Sequence, residues 1–317
     1  MDSVKELISK QVKSIVVITA GYRETGSEGE KEENELLEFI RRNNVRLVGP
    51  NCMGIINSDN QIKLNATFVA EKPKYEPVGF LSQSGALGAA VINSLRETNI
   101  KFAHFISVGN KADINEIDLL EFWEKDKSIL LSTYYLESFI DGFKFLEPFI
   151  LGKITKPVII LKAGKSKAGM KAASSHTGAL GSADRVVNAA LRQFGIIRVE
   201  TISEMFNTVK GFLHFPIPKG KRIAIVTNAG GPAILAVDAL EKLGLELAKF
   251  SKSTIHKLSE IVVKEGSKSN PIDLLPGGSA EMYKAVNEIV LKDKNVDAVI
   301  SVFVEPIMVG LLELLKP

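Results

Sequence analysis

The sequence predicts a doubly wound α/β fold, in which helices cover both faces of parallel β-sheets. Short runs rich in Val and Ile recur along the chain and are apolar on both faces, as buried parallel strands are. Between these runs lie stretches such as 85–97 and 231–244, where apolar residues recur every three or four positions, as on one face of a helix. The regular alternation of the two patterns predicts strand–helix–strand units and therefore parallel sheets.

Eight apolar runs are predicted to be strands, and a long helix is predicted between the first two. In chain order the predicted strands span 14–19, 45–49, 78–82, 101–108, 129–137, 157–163, 222–228 and 296–304. The helix spans 27–44, where charged residues alternate with Leu, Phe and Ile at helical spacing.

Two segments rich in Pro and Lys, 70–78 and 215–222, are typical of interdomain linkers. They divide the chain into three predicted domains, residues 1–70, 71–217 and 218–317. The first contains two predicted strands and one helix, which is too little for a doubly wound domain. We therefore expect a partial first domain, and we expect the third to be cut short as well.

The composition is that of an ordinary globular protein, with 317 residues, 45% hydrophobic and 24% charged. The 40 basic and 37 acidic side chains nearly balance, so charge gives no reason to expect nucleic acid or an anionic membrane as a partner. One cysteine, Cys52, excludes a disulfide framework and a cysteine-rich metal site. No apolar stretch approaches the roughly 18–20 residues that span a bilayer. We therefore expect a cytoplasmic protein.

A glycine-rich turn occurs twice in the chain, at 82–90 and at 174–182, and each copy opens a stretch of small and apolar residues. Backbone N–H groups at a helix N-terminus bind anions, and the helix dipole adds about 0.3–1 kcal/mol. We therefore predict that Ser84 and Gly85 bind phosphate, with Ser82 at the strand end just ahead of them. The alternative, that such a turn only caps a helix, stays open.

His176 stands in the second turn where the first turn has Gln83. A histidine can act as a metal ligand, a general base or a nucleophile, but no second His or Cys nearby supports a metal site. Glu137 ends a predicted strand and could orient an imidazole from the same edge of the sheet. Each residue also has an alternative interpretation without function: His176 as a surface histidine in a polar loop, and Glu137 as an exposed acid at a strand end.

Four lysines lie at the end of the strand predicted at 157–163 and in the segment that leads from it to His176: Lys162, Lys165, Lys167 and Lys171. They could attract phosphate, although a solvated lysine surface is the more common explanation for such spacing. Asn110 follows another predicted strand, so it too is expected at the edge where the turn 82–85, Glu137 and the His176 loop meet.

Seven segments together resemble one family, the NDP-forming acyl-CoA synthetases, which include the ADP-forming acetate–CoA ligases and are relatives of succinyl-CoA synthetase. They are GPNCMGIIN (49–57), GFLSQSGALGAA (79–90), SVGNKADINEIDLLEF (107–122), YLESFIDGFKF (135–145), KPVIILKAGKSKAGMKAASSHTGALGS (156–182), TNAGGPAI (227–234) and NPIDL (270–274). The resemblance implies a Rossmann-like remnant followed by two flavodoxin-like domains. The family's glycine-rich loop for CoA phosphates lies upstream of the matching residues.

The resemblance also implies a mechanism. Acyl-CoA and phosphate give acyl phosphate and CoA, the phosphoryl group moves to a histidine, and ADP or GDP then receives it. Carried onto this sequence, the family's residues match as follows: His176 as the phosphorylated residue, Glu137 as its supporting carboxylate, Ser82, Ser84, Gly85, Ser175 and Thr177 at the phosphate, and Asn51 and Gly49 at the CoA thiol end.

The family's nucleotide site lies in an ATP-grasp domain, which this sequence does not contain. The resemblance therefore implies an ATP-grasp partner that binds ATP or ADP with Mg²⁺, a small carboxylic acid as substrate, and a hetero-oligomer. Two other hypotheses remain from the sequence. One is a non-catalytic subunit or regulatory module that has lost CoA binding, and the other is a phosphohistidine relay without acyl-CoA turnover.

Overall fold

The computed structural model describes residues 1–71, 73–94, 101–166, 168–169 and 184–305. The chain divides into two compact units after His214, Met1–His214 and Phe215–Pro317. Among the described helices none is long and apolar enough to cross a membrane.

The first unit contains a two-stranded and a seven-stranded sheet. Its strands are β1 (Ser14–Val16), β2 (Arg46–Val48), β3 (Gly54–Asn57), β4 (Leu64–Thr67), β5 (Val78–Ser82), β6 (His104–Ser107), β7 (Leu131–Leu136), β8 (Val158–Lys162) and β9 (Ile197–Val199). Strands β1 and β2 pair in parallel. The large sheet has the order β4-β3-β6-β5-β7-β8-β9. Its strands β5 to β9 are parallel, whereas β3 is antiparallel to both of its neighbours.

Seven α-helices of the first unit are described. They are α1 (Asp2–Ser9), α2 (Ser27–Arg42), α3 (Gly85–Asn93), α4 (Glu116–Lys125), α5 (Gly142–Ile150), α6 (Asp184–Gln193) and α7 (Ile202–His214). Helices α1 and α2 pack with β1 and β2, and the other five cover both faces of the large sheet. Side chains of α3 and α7 pack on one face with Phe80, and those of α4, α5 and α6 pack on the other with Leu81. The doubly wound α/β class that the sequence predicts is confirmed.

Two glycines let helices approach the large sheet closely. A Cβ on Gly79 of β5 would lie 2.5 Å from the Trp123 ring of α4, and one on Gly88 of α3 would lie 2.6 Å from the Phe105 ring. Side chains this close cannot coexist in a packed core, so only glycine fits at either position. The close approaches hold α4 against β5 and α3 against β6.

Each of the eight predicted strand segments contains a strand. The hairpin β3–β4 was missed, because it reads as part of a glycine-rich loop, GPNCMGIIN, and a polar segment. This hairpin joins the large sheet through β6, so the sheet crosses the expected domain boundary at residue 70. The three-domain division remains a prediction.

The second unit has a four-stranded sheet built around β10. Its elements are β10 (Arg222–Thr227), α8 (Gly230–Lys242), β11 (Glu246–Leu247), α9 (Lys252–Ile261), β12 (Ile272–Asp273), α10 (Ala280–Leu291) and β13 (Ala298–Val302). Strand β10 pairs in parallel with the three other strands. Helix α8 packs on one face, and α9 and α10 pack on the other.

An arginine–carboxylate pair closes the amino end of β10. The Arg222 guanidinium donates to both carboxylate oxygens of Asp297, at 2.9 Å and 2.8 Å, and the Arg222 backbone N–H donates to the same group at 2.9 Å. These hydrogen bonds from Arg222 lower the pKa of Asp297 from 3.8 to about 2.

The pair makes the second unit sensitive to acid in a defined interval. Because the folded-state pKa is the lower one, the stabilisation is present above about pH 4 and is lost as the pH falls to about 2. We expect Asp297→Asn to reduce the hydrogen-exchange protection of β10 and β13 at pH 5, and to differ little from wild type at pH 2. Asp238→Asn, at an exposed position of α8, is the control. A constant difference between pH 5 and pH 2 would contradict the assignment.

Candidate active site

The carboxyl ends of four neighbouring parallel strands form one edge of the large sheet. In spatial order these strands are β6, β5, β7 and β8. At these ends, β6 leads into the segment 107–110 and β5 into the turn 82–85. Strand β7 is followed by Glu137, and β8 ends at Lys162. The sequence predicted this common edge from strand ends alone. His176, Ser175 and Thr177 lie outside the described residues, so their roles stay predictions.

The turn between β5 and α3 presents donors from its backbone and one hydroxyl. Ser84 caps α3, because its Oγ accepts from Leu87 N at 3.2 Å. The first intrahelical bond runs from Gly88 N to Ser84 O at 3.1 Å, so the N–H groups of Gly85 and Ala86 precede the helical ladder. Free N–H groups at a helix start are a common feature of anion sites, which is consistent with the predicted phosphate site.

Ser82 shapes the turn from within. Its side chain is fully buried and its hydroxyl donates to Ser84 O at 2.7 Å. The Ser82 hydroxyl proton is therefore not available to a ligand, whereas Ser84 and Gly85 are partly exposed. Of the five residues predicted at the phosphate, Ser82, Ser84 and Gly85 are described and share this turn, in which Ser82 has a supporting position.

Gln83 connects this turn to the loop that carries Glu137. Its Oε1 accepts from the N–H groups of Glu137 and Ser138 at 2.9 Å and 3.1 Å, and its Nε2 donates to Ser138 Oγ at 3.2 Å. The side chain is 5% exposed. In the sequence, Gln83 stands out only as the counterpart of His176. Its contact with the Glu137 loop exists because β5 and β7 are adjacent strands, and the sequence does not show which strands are adjacent.

Glu137 is half-buried at the end of β7 and is held by its surroundings. The Lys162 ammonium donates to Glu137 O at 2.7 Å. The Tyr135 hydroxyl hydrogen-bonds to the Glu137 carboxylate, and burial together with that negative charge raises the pKa of Tyr135 to about 12. The tyrosine therefore stays protonated at neutral pH and can donate to the carboxylate.

A buried ion pair supports the same loop from the side of β6. The Lys111 ammonium lies 3.0 Å from a Glu116 carboxylate oxygen, and the two side chains are 1% and 0% exposed. Lys111 also donates to Ser138 O at 2.7 Å, and Glu116 accepts from Ile140 N at 2.6 Å. Side chains that follow β5 and β6, together with Glu116 of α4 and Lys162 of β8, therefore hold the backbone from Glu137 to Ile140.

Comparison with known proteins identifies the family. A family model described as the succinyl-CoA ligase like flavodoxin domain matches residues 76–212. The α subunit of the ADP-forming acetate–CoA ligase II of Pyrococcus furiosus is 43% identical over 307 residues, which are 95% of this chain and 65% of that protein. The ADP-forming acetate–CoA ligase I of Archaeoglobus fulgidus is 41% identical, over 95% of this chain and 43% of that protein.

A solved structure gives the same result. The apo form of a dinucleotide-forming acetyl-coenzyme A synthetase 1 from Ca. Korarchaeum cryptofilum is 32% identical, with a TM-score of 0.88, over 96% of this chain and 67% of that one. The chain belongs to the NDP-forming acyl-CoA synthetase family. It spans about two thirds of the P. furiosus subunit and less than half of the A. fulgidus protein.

In this family member, the residues predicted for the CoA thiol end lie beside the same sheet edge. Asn51 donates from Nδ2 to Asn110 Oδ1 at 3.2 Å, and the Asn110 Nδ2 donates to Glu24 and Glu33 at 2.6 Å and 2.7 Å. Burial raises the pKa of Glu33. Gly49 has a φ of 96°, and a Cβ there would lie 2.3 Å from a backbone oxygen. Both facts require glycine at this position for reasons of backbone conformation and packing, independently of any role in binding.

Proposed function

We propose that this chain is the histidine-phosphorylated part of an NDP-forming acid–CoA ligase. The observation that carries the proposal is the Gln83 bridge, because it ties an anion-binding helix N-terminus to the loop of a carboxylate, Glu137, on the adjacent strand. A phosphate bound at the turn and an imidazole oriented by the carboxylate would then act in one place.

The proposed reaction has three steps. An oxygen of inorganic phosphate attacks the thioester carbonyl carbon of acyl-CoA, the C–S bond breaks, and CoA leaves as the thiolate. The His176 imidazole then attacks the phosphorus of the acyl phosphate, and the carboxylic acid leaves as the carboxylate. In the last step a terminal phosphate oxygen of ADP takes the phosphoryl group and neutral His176 is restored.

The described residues suit the phosphoryl steps. Such transfers depend mostly on positioning and on stabilising negative charge. The Gly85 and Ala86 amides and the Ser84 hydroxyl would hold the phosphate oxygens, and the α3 dipole would add to their effect. Glu137 would accept a hydrogen bond from one ring nitrogen of the histidine, which fixes the tautomer and leaves the other nitrogen to attack.

The remaining components of the proposal come from the family. ADP and Mg²⁺ would be held by an ATP-grasp β subunit or domain, and CoA would approach Asn51 and Gly49. The P. furiosus relative is named as an α subunit, which supports a hetero-oligomer. The two curated relatives are named for acetate, so a small carboxylic acid is the proposed substrate class.

Phosphohistidine formation tests the proposal directly. The chain is incubated with an ATP-grasp partner subunit of the family, Mg²⁺ and ATP labelled at the γ-phosphate, and the label on the chain is treated with acid and with base. We expect label that is lost in acid and stable in base, as a phosphoramidate is. His176→Ala should remove it entirely, and Glu137→Gln should slow its appearance about 10- to 100-fold, the effect of one lost charge-assisted hydrogen bond.

Addition of CoA and acetate to the labelled protein should then discharge the label and form acetyl-CoA. The control variant is His256→Ala, because His256 is an exposed side chain on α9 and should leave labelling unchanged. Absence of label on wild type, with a partner that phosphorylates its own subunit in parallel, would contradict the proposal and favour a non-catalytic module. Label without discharge by CoA would favour a phosphohistidine relay.

A further inference from the structure

Lys162 is a buried lysine at the candidate active site. It ends β8, the strand next to β7 in the sheet, and its residue is 6% exposed. The spacing of the lysines after this strand favoured a solvated surface, but Lys162 does not fit that interpretation. Its ammonium lies inside the protein, directly behind the loop that carries Glu137.

The Lys162 ammonium is bonded to carbonyls rather than to a carboxylate. It donates to Glu137 O at 2.7 Å and to Ala163 O at 2.6 Å. Among the residues that the structure describes, it has no ion-pair partner and no acceptor for its third proton. Burying an ammonium costs several kcal/mol even after the protein relaxes, and carbonyl oxygens return only part of that.

Lys111 shows the usual solution to the same problem. It is more deeply buried than Lys162 and also donates to a carbonyl of this loop, but Glu116 neutralises it at 3.0 Å. The two lysines therefore differ in net local charge. Lys162 has no carboxylate in direct contact among the described residues. The charges of Asp184 and Glu137 act on its ammonium from a distance, and those of Arg198 and Lys111 oppose them. A positive charge therefore lies in the interior without a contacting counterion, at the sheet edge where the phosphate is proposed to bind.

We propose that Lys162 is a positioning residue for phosphoryl transfer, which holds the Glu137 peptide from β8 and places a fixed positive charge behind the phosphate site. The inference rests on the proposed function and extends it. A neutral donor would satisfy the two carbonyls at a lower desolvation cost, so the charge itself requires an explanation. An anionic phosphate at this edge supplies it, because the anion compensates the buried cation when the site is occupied.

Lys156 offers a matched control at the other end of the same strand. Its ammonium also donates to two carbonyls, Trp123 O and Asp126 O, both at 2.6 Å. It precedes β8, at the amino end of the strands, away from the edge that carries Glu137. A lysine-to-methionine change therefore removes two hydrogen bonds to backbone carbonyls at either position. Only Lys162 lies at the edge where the chemistry is proposed.

The test compares Lys162→Met, Lys162→Gln, Lys162→Arg and Lys156→Met in the single-turnover labelling reaction with the ATP-grasp partner, and thermal unfolding is measured for each. We expect Lys162→Met and Lys162→Gln to label about 10- to 100-fold more slowly than wild type. Lys162→Arg, which keeps the charge and the donors, should label within about fivefold of wild type. Lys156→Met should label at the wild-type rate, even if its unfolding temperature falls as far.

The outcomes separate this inference from the function on which it rests. No label on wild type would overturn both. Label on wild type with an equal rate in folded Lys162→Gln or Lys162→Met would overturn the role of Lys162 alone. Equal slowing in the Arg and Gln variants would overturn the role of its charge. If Lys162→Met does not fold, the comparison of Gln with Arg decides the question.

Discussion

Glu116→Ala is expected to lower the free energy of unfolding of the first unit by about 3–5 kcal/mol, because it leaves the Lys111 ammonium buried without its counterion. The pair is enclosed, with both side chains at most 1% exposed, so water cannot replace the lost carboxylate. The same change removes the acceptor for Ile140 N. The loop that follows Glu137 therefore loses one of its anchors together with the stability of the unit.

Urea unfolding followed by tryptophan fluorescence measures this effect. The sequence has one tryptophan, Trp123, which lies on α4 in the same helix as Glu116 and reports on the first unit. Glu121→Ala on α4 is the matched control, because it removes only an exposed pair with Lys125 at 3.7 Å and should cost at most about 0.5 kcal/mol.

A double variant separates the loss of the pair from the stranded charge. Lys111→Met with Glu116→Leu removes both charges, and we expect it to regain more than half of the stability lost in Glu116→Ala. If the double variant is less stable than the single one, the pair contributes net stability through its hydrogen bonds to Ser138 and Ile140, and the desolvation argument is wrong.

The sequence predicted the fold well where a residue's environment follows from periodicity. Strands β5 and β8 are buried along their whole length and β7 at all but one residue, and their runs of apolar residues leave no alternative to a sheet covered on both faces. The strand ends then placed Ser84, Asn110 and Glu137 at one edge. The same reasoning missed β3 and β4, because a short hairpin at the side of a sheet has neither a long apolar run nor strict alternation.

The sequence predicted the side chains that could contact a ligand at the candidate site, but not the side chains that hold them in place. Gln83, Lys111 and Lys162 hold the loop of Glu137, and each does so across two neighbouring strands or loops. Contacts of this kind depend on strand order, and the sequence does not give strand order. A buried lysine also looks the same in sequence as a solvated one, which is why Lys162 was grouped with the three lysines that follow it.

The second large effect is expected at Gln83, the residue that occupies the position of His176 in the first of the two turns. Gln83→Met keeps the length of the side chain but leaves the N–H groups of Glu137 and Ser138 without their acceptor. Unsatisfied buried donors cost about 1–3 kcal/mol, and we expect a loss of stability in that range. The displaced Glu137 should slow phosphohistidine formation about tenfold or more, because small errors of position are costly in phosphoryl transfer.

Gln83→Glu distinguishes position from charge at this bridge. A carboxylate can accept from both N–H groups and from the Ser138 hydroxyl, so the loop should keep its conformation and the unit should unfold closer to wild type than Gln83→Met does. The added negative charge lies beside Glu137 and at the entrance to the α3 N-terminus, where it repels phosphate. We therefore expect Gln83→Glu to be the more stable variant and the slower one in the labelling reaction. If it labels faster than Gln83→Met, then geometry dominates at this edge, and the amide was selected for its two acceptor bonds rather than for its neutrality.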